Sequence, residues 1–408
     1  MIEDVRDATH ATRAGPKGRL VLGPRACLLV AVGVVSHTLW TSAAPALTYR
    51  LYAEQWHLAP TTIAGIFAIY PVGVVAMLVG LGGISDTIGR RATMLAGLCA
   101  SLLGALLLAA AQNMAWLFTA RALMGIGVGL SAGPSTAAVL EFISPRHARH
   151  AAAITMVAQA LGFAAALLLG GALTEYGPWP TRLCFWVLVA FLLVLLSATW
   201  FLPRHASGAT RTNWRSTLPS VPRAVRHAFA VSSTAMIAAY TFGVLILSLG
   251  GRVEHDLIGS PNALVNGAVL ALFPLASAAM GVATRALAPR TALAAGALAS
   301  ALGMGLLIVA IGLRDLVTYL AATAVTGGAY SLLFVGGLQV INAAAPEHHR
   351  GGVLSALYLL GYLSMGVLAL ALGVVAANWS LGLAVDVGAA AIILVNITTL
   401  ALAKSMPH

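Results

Sequence analysis

Sixty per cent of the 408 residues are hydrophobic and only 9% are charged, and the mean hydropathy is +0.91, a balance that excludes a water-soluble globule of this size. The formal net charge of +11 is not a nucleic-acid footprint, because the basic residues sit between long apolar runs and form no dense patch interleaved with aromatics. The composition defines an integral membrane protein.

Residues 1–25 are charged and polar, and are read as a cytoplasmic N-terminal segment ahead of an uncleaved first span, since the apolar run that follows has full span length and lacks a small-residue cleavage site. Twelve apolar runs then succeed one another at 26–48, 61–83, 92–111, 115–141, 150–174, 182–202, 228–250, 262–286, 291–313, 316–342, 352–376 and 380–403. Each is long enough to cross a hydrocarbon core of about 30 Å as a helix. Lipid leaves no partner for free backbone groups, and the ten-residue alternation of a membrane barrel is missing, so the predicted fold class is all-α. The longest polar interval, Pro203 to His227, is rich in Arg, Ser, Thr and Pro. It predicts two six-helix bundles, 26–202 and 228–403, joined by a basic linker at 203–227 and followed by a short tail at 404–408.

Lysine and arginine set the orientation. With the N-terminus inside, eighteen of the 23 fall on inner segments, whereas the outer loops hold only Arg50, Arg182, Arg252 and Arg314, and Arg121 lies within a span. This positive-inside bias puts both termini in the cytoplasm of a plasma or bacterial inner membrane. Cys27, Cys99 and Cys184 are isolated in apolar segments, with neither metal-ligand spacing nor a disulfide framework. No metal site, cofactor or Gly-x4-Gly-Lys-Ser/Thr nucleotide loop is expected.

The two halves look like a duplication. Span four ends in Glu141-x3-Pro145-x3-Arg149 and span ten in Asn342-x3-Pro346-x3-Arg350, the same spacing 201 residues on. Other landmarks have diverged: Gly82 has a counterpart in Gly281, but Asp86 corresponds to Arg285, Gly89 to Ala288 and Arg121 to Ala322.

Between spans two and three stands Gly82-x3-Asp86-x2-Gly89-Arg90-Arg91, and within span four Arg121-Ala122-Leu123-Met124-Gly125-Ile126-Gly127-Val128-Gly129. With twelve spans and a basic central loop, these motifs resemble the major facilitator superfamily over roughly residues 20–404, and the span-four motif resembles that of its drug:proton antiporters. In one respect the chain departs from the antiporter pattern: Gly170-Gly171 is preceded by Ala166-Leu167-Leu168-Leu169, where the pattern has Gly-Pro. The resemblance implies alternating access and a cavity between spans one, four, seven and ten, with contributions from two, five, eight and eleven. It also implies a cytoplasmic gate in which Asp86 engages the N-terminal end of span eleven near Gly351 and Gly352, and Arg90 pairs with Glu141; Gly89 and Arg91 complete it. The plainer reading of the connector is a topological anchor whose arginines hold headgroups.

An ionisable group inside a span is costly and is a functional candidate by default. His37, with Trp40 and Thr41 one helical turn on, is the candidate for proton coupling because histidine changes charge near neutral pH; the alternative is a neutral histidine satisfied by a hydroxyl on a neighbouring helix. Arg121 stays charged, so it must face the bundle interior and find a carboxylate, carbonyls or water. Its face continues through Met124, Val128, Ser131 and Ser135, while Gly125 and Gly129 allow close helix contact. Asp386 in span twelve is either functional or locally satisfied.

Polar and aromatic stripes supply the remaining cavity candidates: Gln159 in span five, Ser233, Met236 and Tyr240 in span seven, Tyr319, Thr323, Thr326, Tyr330 and Phe334 in span ten, and Tyr358 and Tyr362 in span eleven. Such stripes serve packing as readily as binding, but a mostly apolar cavity with a few hydroxyls suits amphipathic organic molecules better than sugars. The chain therefore reads as a secondary transporter working as a monomer, exporting small amphipathic compounds against protons. A metabolite or organic-anion importer and a lipid flippase on the same scaffold are the alternatives. Paired catalytic groups at one depth are not visible, so an enzyme is not expected.

Overall fold

A computed structural model describes residues 22–81, 84–144, 146, 151–203, 221–284, 286–345 and 350–405. Among them are twelve helices long and apolar enough to cross a membrane, and no strands. We label these helices α1 (Pro24–Ala43), α2 (Pro60–Gly80), α3 (Arg90–Ala109), α4 (Met114–Phe142), α5 (Ala151–Tyr176), α6 (Leu183–Trp200), α7 (Arg223–Ile258), α8 (Ala263–Ala283), α9 (Pro289–Leu313), α10 (Leu316–Ala344), α11 (Arg350–Asn378) and α12 (Leu381–Lys404).

Local chemistry explains where they start. Pro24, Pro60 and Pro289 occupy first-turn positions, where a missing N–H costs nothing. Asn113, Asn262, Asp315 and Ser380 cap α4, α8, α10 and α12, accepting from Ala115 N at 3.1 Å, Val265 N at 3.0 Å, Thr318 N at 2.8 Å and Leu383 N at 3.1 Å. These four caps lie on the face opposite the Asp86 connector, the outer face under the positive-inside reading.

Packing follows the duplication. In the first half α4 packs on α1, α2 and α3, α1 on α5, and α3 on α6; in the second, α10 packs on α7, α8 and α9, α7 on α11, and α9 on α12. The halves meet through α5 on α8 and α2 on α11. The linker stretch 204–220, residues 1–21 and the landmarks Pro145, Arg149, Pro346 and Arg285 lie outside the described residues.

Two features differ from the sequence expectation. Span seven, predicted to end at 250, continues to Ile258 through π-helical turns at Val244–Leu249 and Val253–Ile258. Arg252 is therefore on the helix and not in a loop; it is tolerated because it pairs with Asp256 one turn on, at 3.5 Å. The charges that end a hydropathy window do not end a helix. Second, the outer loop after α1 contains a short helix, Tyr49–Gln55, whose Tyr49 and Tyr52 are buried. Tyr52 donates its hydroxyl to Thr181 O at 2.9 Å, and burial raises its phenol above the ordinary tyrosine range, so it remains a neutral donor.

The halves touch at backbone level on the outer face. A Cβ added at Gly267 would lie 2.3 Å from Leu167 O, one at Gly171 2.5 Å from Ala263 O, and one at Gly373 2.4 Å from the Ala64 methyl. Ala263 N donates to Glu175 Oε2 at 2.7 Å, and Asn262 Nδ2 to the Tyr176 hydroxyl at 3.3 Å. At the inner end of the same α5–α8 pair, Gly281 faces the flexible tip of Met156 instead. This conformation is closed on the face opposite the Asp86 connector, the outer one under the positive-inside reading.

Candidate functional site

Arg121 is completely buried on α4. It reaches α1, donating from Nη1 to the carbonyls of Thr41 and Ser42, both at 3.3 Å, and lies over the ring of Tyr70 on α2 with 4.3 Å to the centroid. The position depends on glycine. A Cβ at Gly125 would lie 2.2 Å from Tyr70 O, and one at Gly73 2.8 Å from Ala122 O, so α2 and α4 cross at a distance only small residues permit. A desolvated cation over an aromatic face gains about 2 kcal/mol, and each charge-assisted hydrogen bond about 1.5–3 kcal/mol, which together offset the burial of a charge that no carboxylate pairs with among the described residues. Nε and Nη2 have no hydrogen-bond partner. The guanidinium thus keeps donors in reserve, and Tyr49 of the outer helix is within its electrostatic reach.

Tyr70 carries the site across to the second half, where Tyr362 on α11 lies in its electrostatic reach. From there a chain of rings runs through the bundle. Tyr362 meets Tyr240 edge-on at 4.9 Å between centroids, Tyr240 and Phe334 are 6.3 Å apart, Phe334 and Tyr330 stack at 5.6 Å, Tyr330 and Phe273 are 5.5 Å apart, and Phe273 meets Phe163 of α5 at 6.3 Å. Tyr358 is half-buried and close enough to interact with Tyr240, Tyr330 and Tyr362. Helices α2, α5, α7, α8, α10 and α11 therefore present one aromatic wall with phenol hydroxyls set into it. Tyr70, Phe163 and Phe273 were missed in the sequence; a hydroxyl-bearing aromatic beside Pro71 in a largely apolar span was the available signal.

The α1 candidates separate. His37 is completely buried and turned into the first half, its Nδ1 2.5 Å from Val34 O and its Nε2 3.4 Å from Ser101 Oγ on α3. Trp40 stacks on Phe191 of α6 at 4.7 Å. Thr41 lends its carbonyl to Arg121, while its hydroxyl has no partner. Gln159 is half-buried on α5, and Asp386 is exposed on α12.

At the connector, Arg90 forms a hydrogen-bonded ion pair with Glu141, tying α3 to α4. Both helices belong to the first half, so this pair alone does not bridge the halves. Arg91 is buried with its guanidinium over Trp200 of α6, 5.2 Å from the ring centroid. Gly89 precedes α3 at φ +90°, where an L side chain is strained. The side chain of Asp86 lies outside the described residues. Replacing Gly89 by alanine should lower stability by about 1 kcal/mol, measured as a fall in the unfolding temperature of the purified protein in detergent.

Twelve lipid-crossing helices in two matched halves around a ring-lined centre define a polytopic membrane carrier. The major facilitator superfamily profile matches residues 29–369, and the chain belongs to that family of transporters. It is 31% identical over 192 residues to the multidrug efflux pump LfrA of Mycolicibacterium smegmatis, covering 47% of this chain and 36% of that protein. It is 29% identical over 209 residues to the puromycin resistance protein pur8 of Streptomyces alboniger, covering 48% and 41%. An MFS-type transporter of Metarhizium majus, ppz2, is 26% identical over 261 residues, covering 62% and 40%. The chain thus spans well under two thirds of these relatives' own lengths. Among solved structures it is similar to the nucleoside transporter NupG, with a TM-score of 0.75 at 12% identity over 92% of this chain and 99% of that one, and to the POT family transporter PepTSo, at 0.76, 13%, 94% and 98%. At such identities the likeness establishes the fold alone.

Proposed function

We propose that this chain exports small amphipathic organic molecules by alternating access, driven by inward proton flow, in a plasma membrane with both termini cytoplasmic. The observation that carries this reading is the continuous aromatic wall ending at one permanent cation, Arg121, with donors to spare. Flat apolar faces accept varied ring-bearing compounds, and a few hydroxyls orient them without imposing a sugar-like pattern. Two relatives named for drug efflux and puromycin resistance point the same way.

In this reading Tyr240, Tyr330, Tyr358, Tyr362 and Gln159 line the path. Arg121 with Thr41 receives the polar end of the substrate, His37 with Trp40 responds to protons, and Asp86, Gly89, Arg90, Arg91 and Glu141 control the cytoplasmic side. The missing Gly-Pro before Gly170-Gly171 favours the import alternative, which the same experiment addresses. In inverted vesicles with dye substrates, an imposed proton gradient should drive accumulation several-fold, and collapsing it should remove that accumulation. Equal or greater uptake into right-side-out cells along the gradient would overturn the export direction. Tyr330→Ala and Tyr362→Ala should each change the ratio of rates for two unlike substrates by about tenfold, the equivalent of ~1.4 kcal/mol. His37→Ala should abolish gradient-driven but not downhill transport.

A further inference from the structure

The second π-helical turn of α7, Val253–Ile258, carries an acid that the proposed mechanism does not use. Such turns are often found at functional positions in membrane and soluble helices. Glu254 is completely buried, and neither side-chain oxygen has a hydrogen-bond partner. Its neighbours leave it without a counter-ion among the described residues. On the same turn Arg252 pairs with Asp256 at 3.5 Å, and His255 meets Asp256 at 3.0 Å, all partly exposed. On α10 the phenol of Tyr319 is within electrostatic reach. On α9 and α12, which also pack against this turn, the charged groups nearest the outer ends, Arg314 and Asp386, are exposed. An ionised carboxylate left dry and unpartnered carries a large desolvation cost. Val253, the residue before the acid, and Tyr319 line a small cavity with Met304, Leu307, Thr323 and Thr326.

The same turn supports the outer closure. Glu254 O accepts from Ser260 N at 3.0 Å across Gly259, whose φ of +81° permits the reversal. Asn266 Nδ2 holds Ser260 O at 3.2 Å. Immediately beyond, Asn262 and Ala263 make the contacts to Tyr176 and Glu175 that join the halves. Glu254 therefore belongs to the turn from which these contacts hang.

We propose that Glu254 is a proton-binding site that holds the outer face shut when protonated and releases it when ionised. A hydronium ion on the outer side gives one proton to the carboxylate: its O–H bond breaks and leaves a water molecule, a carboxyl O–H bond forms, and a single negative charge is removed from the α7–α8 corner, which then closes. The proposal rests on the alternating-access reading, but not on export, substrate class or proton-driven transport.

The test uses the full chain in phosphatidylethanolamine–phosphatidylglycerol vesicles, with Cys27, Cys99 and Cys184 replaced and spin labels at Pro178→Cys and Trp379→Cys, on outer loops of opposite halves. Taking the wild type from mildly acid to mildly alkaline pH should widen the label distance and remove a protonated-carboxyl stretch from the infrared spectrum. Glu254→Gln, which copies the neutral acid, should lack that band change and reduce the open population at alkaline pH by about tenfold. Glu254→Asp, needed if the glutamine variant is poorly inserted, should move the pH midpoint of the widening. An unchanged band and distance response in Glu254→Gln, an unmoved midpoint in Glu254→Asp, or a wild type blind to pH would overturn the proposal. Absence of gradient-driven export with these responses intact would sink the exporter reading and leave the proton site standing.

Discussion

Arg121→Lys should reach the membrane in normal amounts and transport at least about tenfold more slowly, a loss of ~1.4 kcal/mol or more in the rate-limiting step. Lysine keeps the charge but not the plane. An ammonium cannot lie flat on Tyr70 while spanning the carbonyls of Thr41 and Ser42, and it has no counterpart of the unpartnered Nε and Nη2 donors. Arg121→Ala should be worse in a second way: it opens a void where α1, α2 and α4 meet, and thermal unfolding in detergent should fall by several degrees as well as transport disappearing. Initial-rate measurements on the purified protein decide it. Full activity in Arg121→Lys would reduce the residue to a simple charge requirement.

Gly267→Leu should leave both halves folded yet arrest the cycle. A Cβ at this position lies 2.3 Å from a backbone carbonyl on α5, a distance that no rotamer change relieves, and overpacking of this kind costs about 1–3 kcal/mol. Because the close approach exists only between the halves, that cost falls on the outer-closed conformation and not on the packing within either half. The expected result is a shift of about tenfold or more toward outward-open molecules, with transport reduced to match and the unfolding temperature barely moved. Gly267→Ala should give a smaller shift in the same direction. Label distances across the outer face are the check; a wild-type distribution in Gly267→Leu would mean that α5 and α8 do not separate during the cycle.

Some candidates converge in space because helical periodicity constrains them strongly. Tyr240, Tyr330, Tyr358 and Tyr362 each stood out as a hydroxyl-bearing aromatic on an apolar face, and the rings of Tyr240, Tyr330 and Tyr362 join one chain. Arg121 was legible for a different reason, since a guanidinium in a span has few solutions. The α1 trio was less legible. His37, Trp40 and Thr41 share a turn, yet His37 points to Ser101 and Trp40 to Phe191, because a helix surrounded by protein offers partners on every side and spacing alone does not choose among them. Glu254 was illegible: a charge near the end of a hydropathy run looks like the start of a loop, and only the π-helical continuation of α7 carries it inside.

What the chain alone determined is the fold class, the number of crossings and the family, since each follows from length, apolarity and short connector motifs, quantities that lipid and the helix repeat constrain locally. What the tertiary structure decided is which side chains face one another. The crossing distances permitted by Gly73, Gly125, Gly171 and Gly267, the junction of Arg121 with Tyr70 and Tyr362, the closed outer face and the unpartnered acid on α7 all depend on how one helix is rotated and set against another. That choice is made by packing across residues far apart in sequence, and no local pattern encodes it.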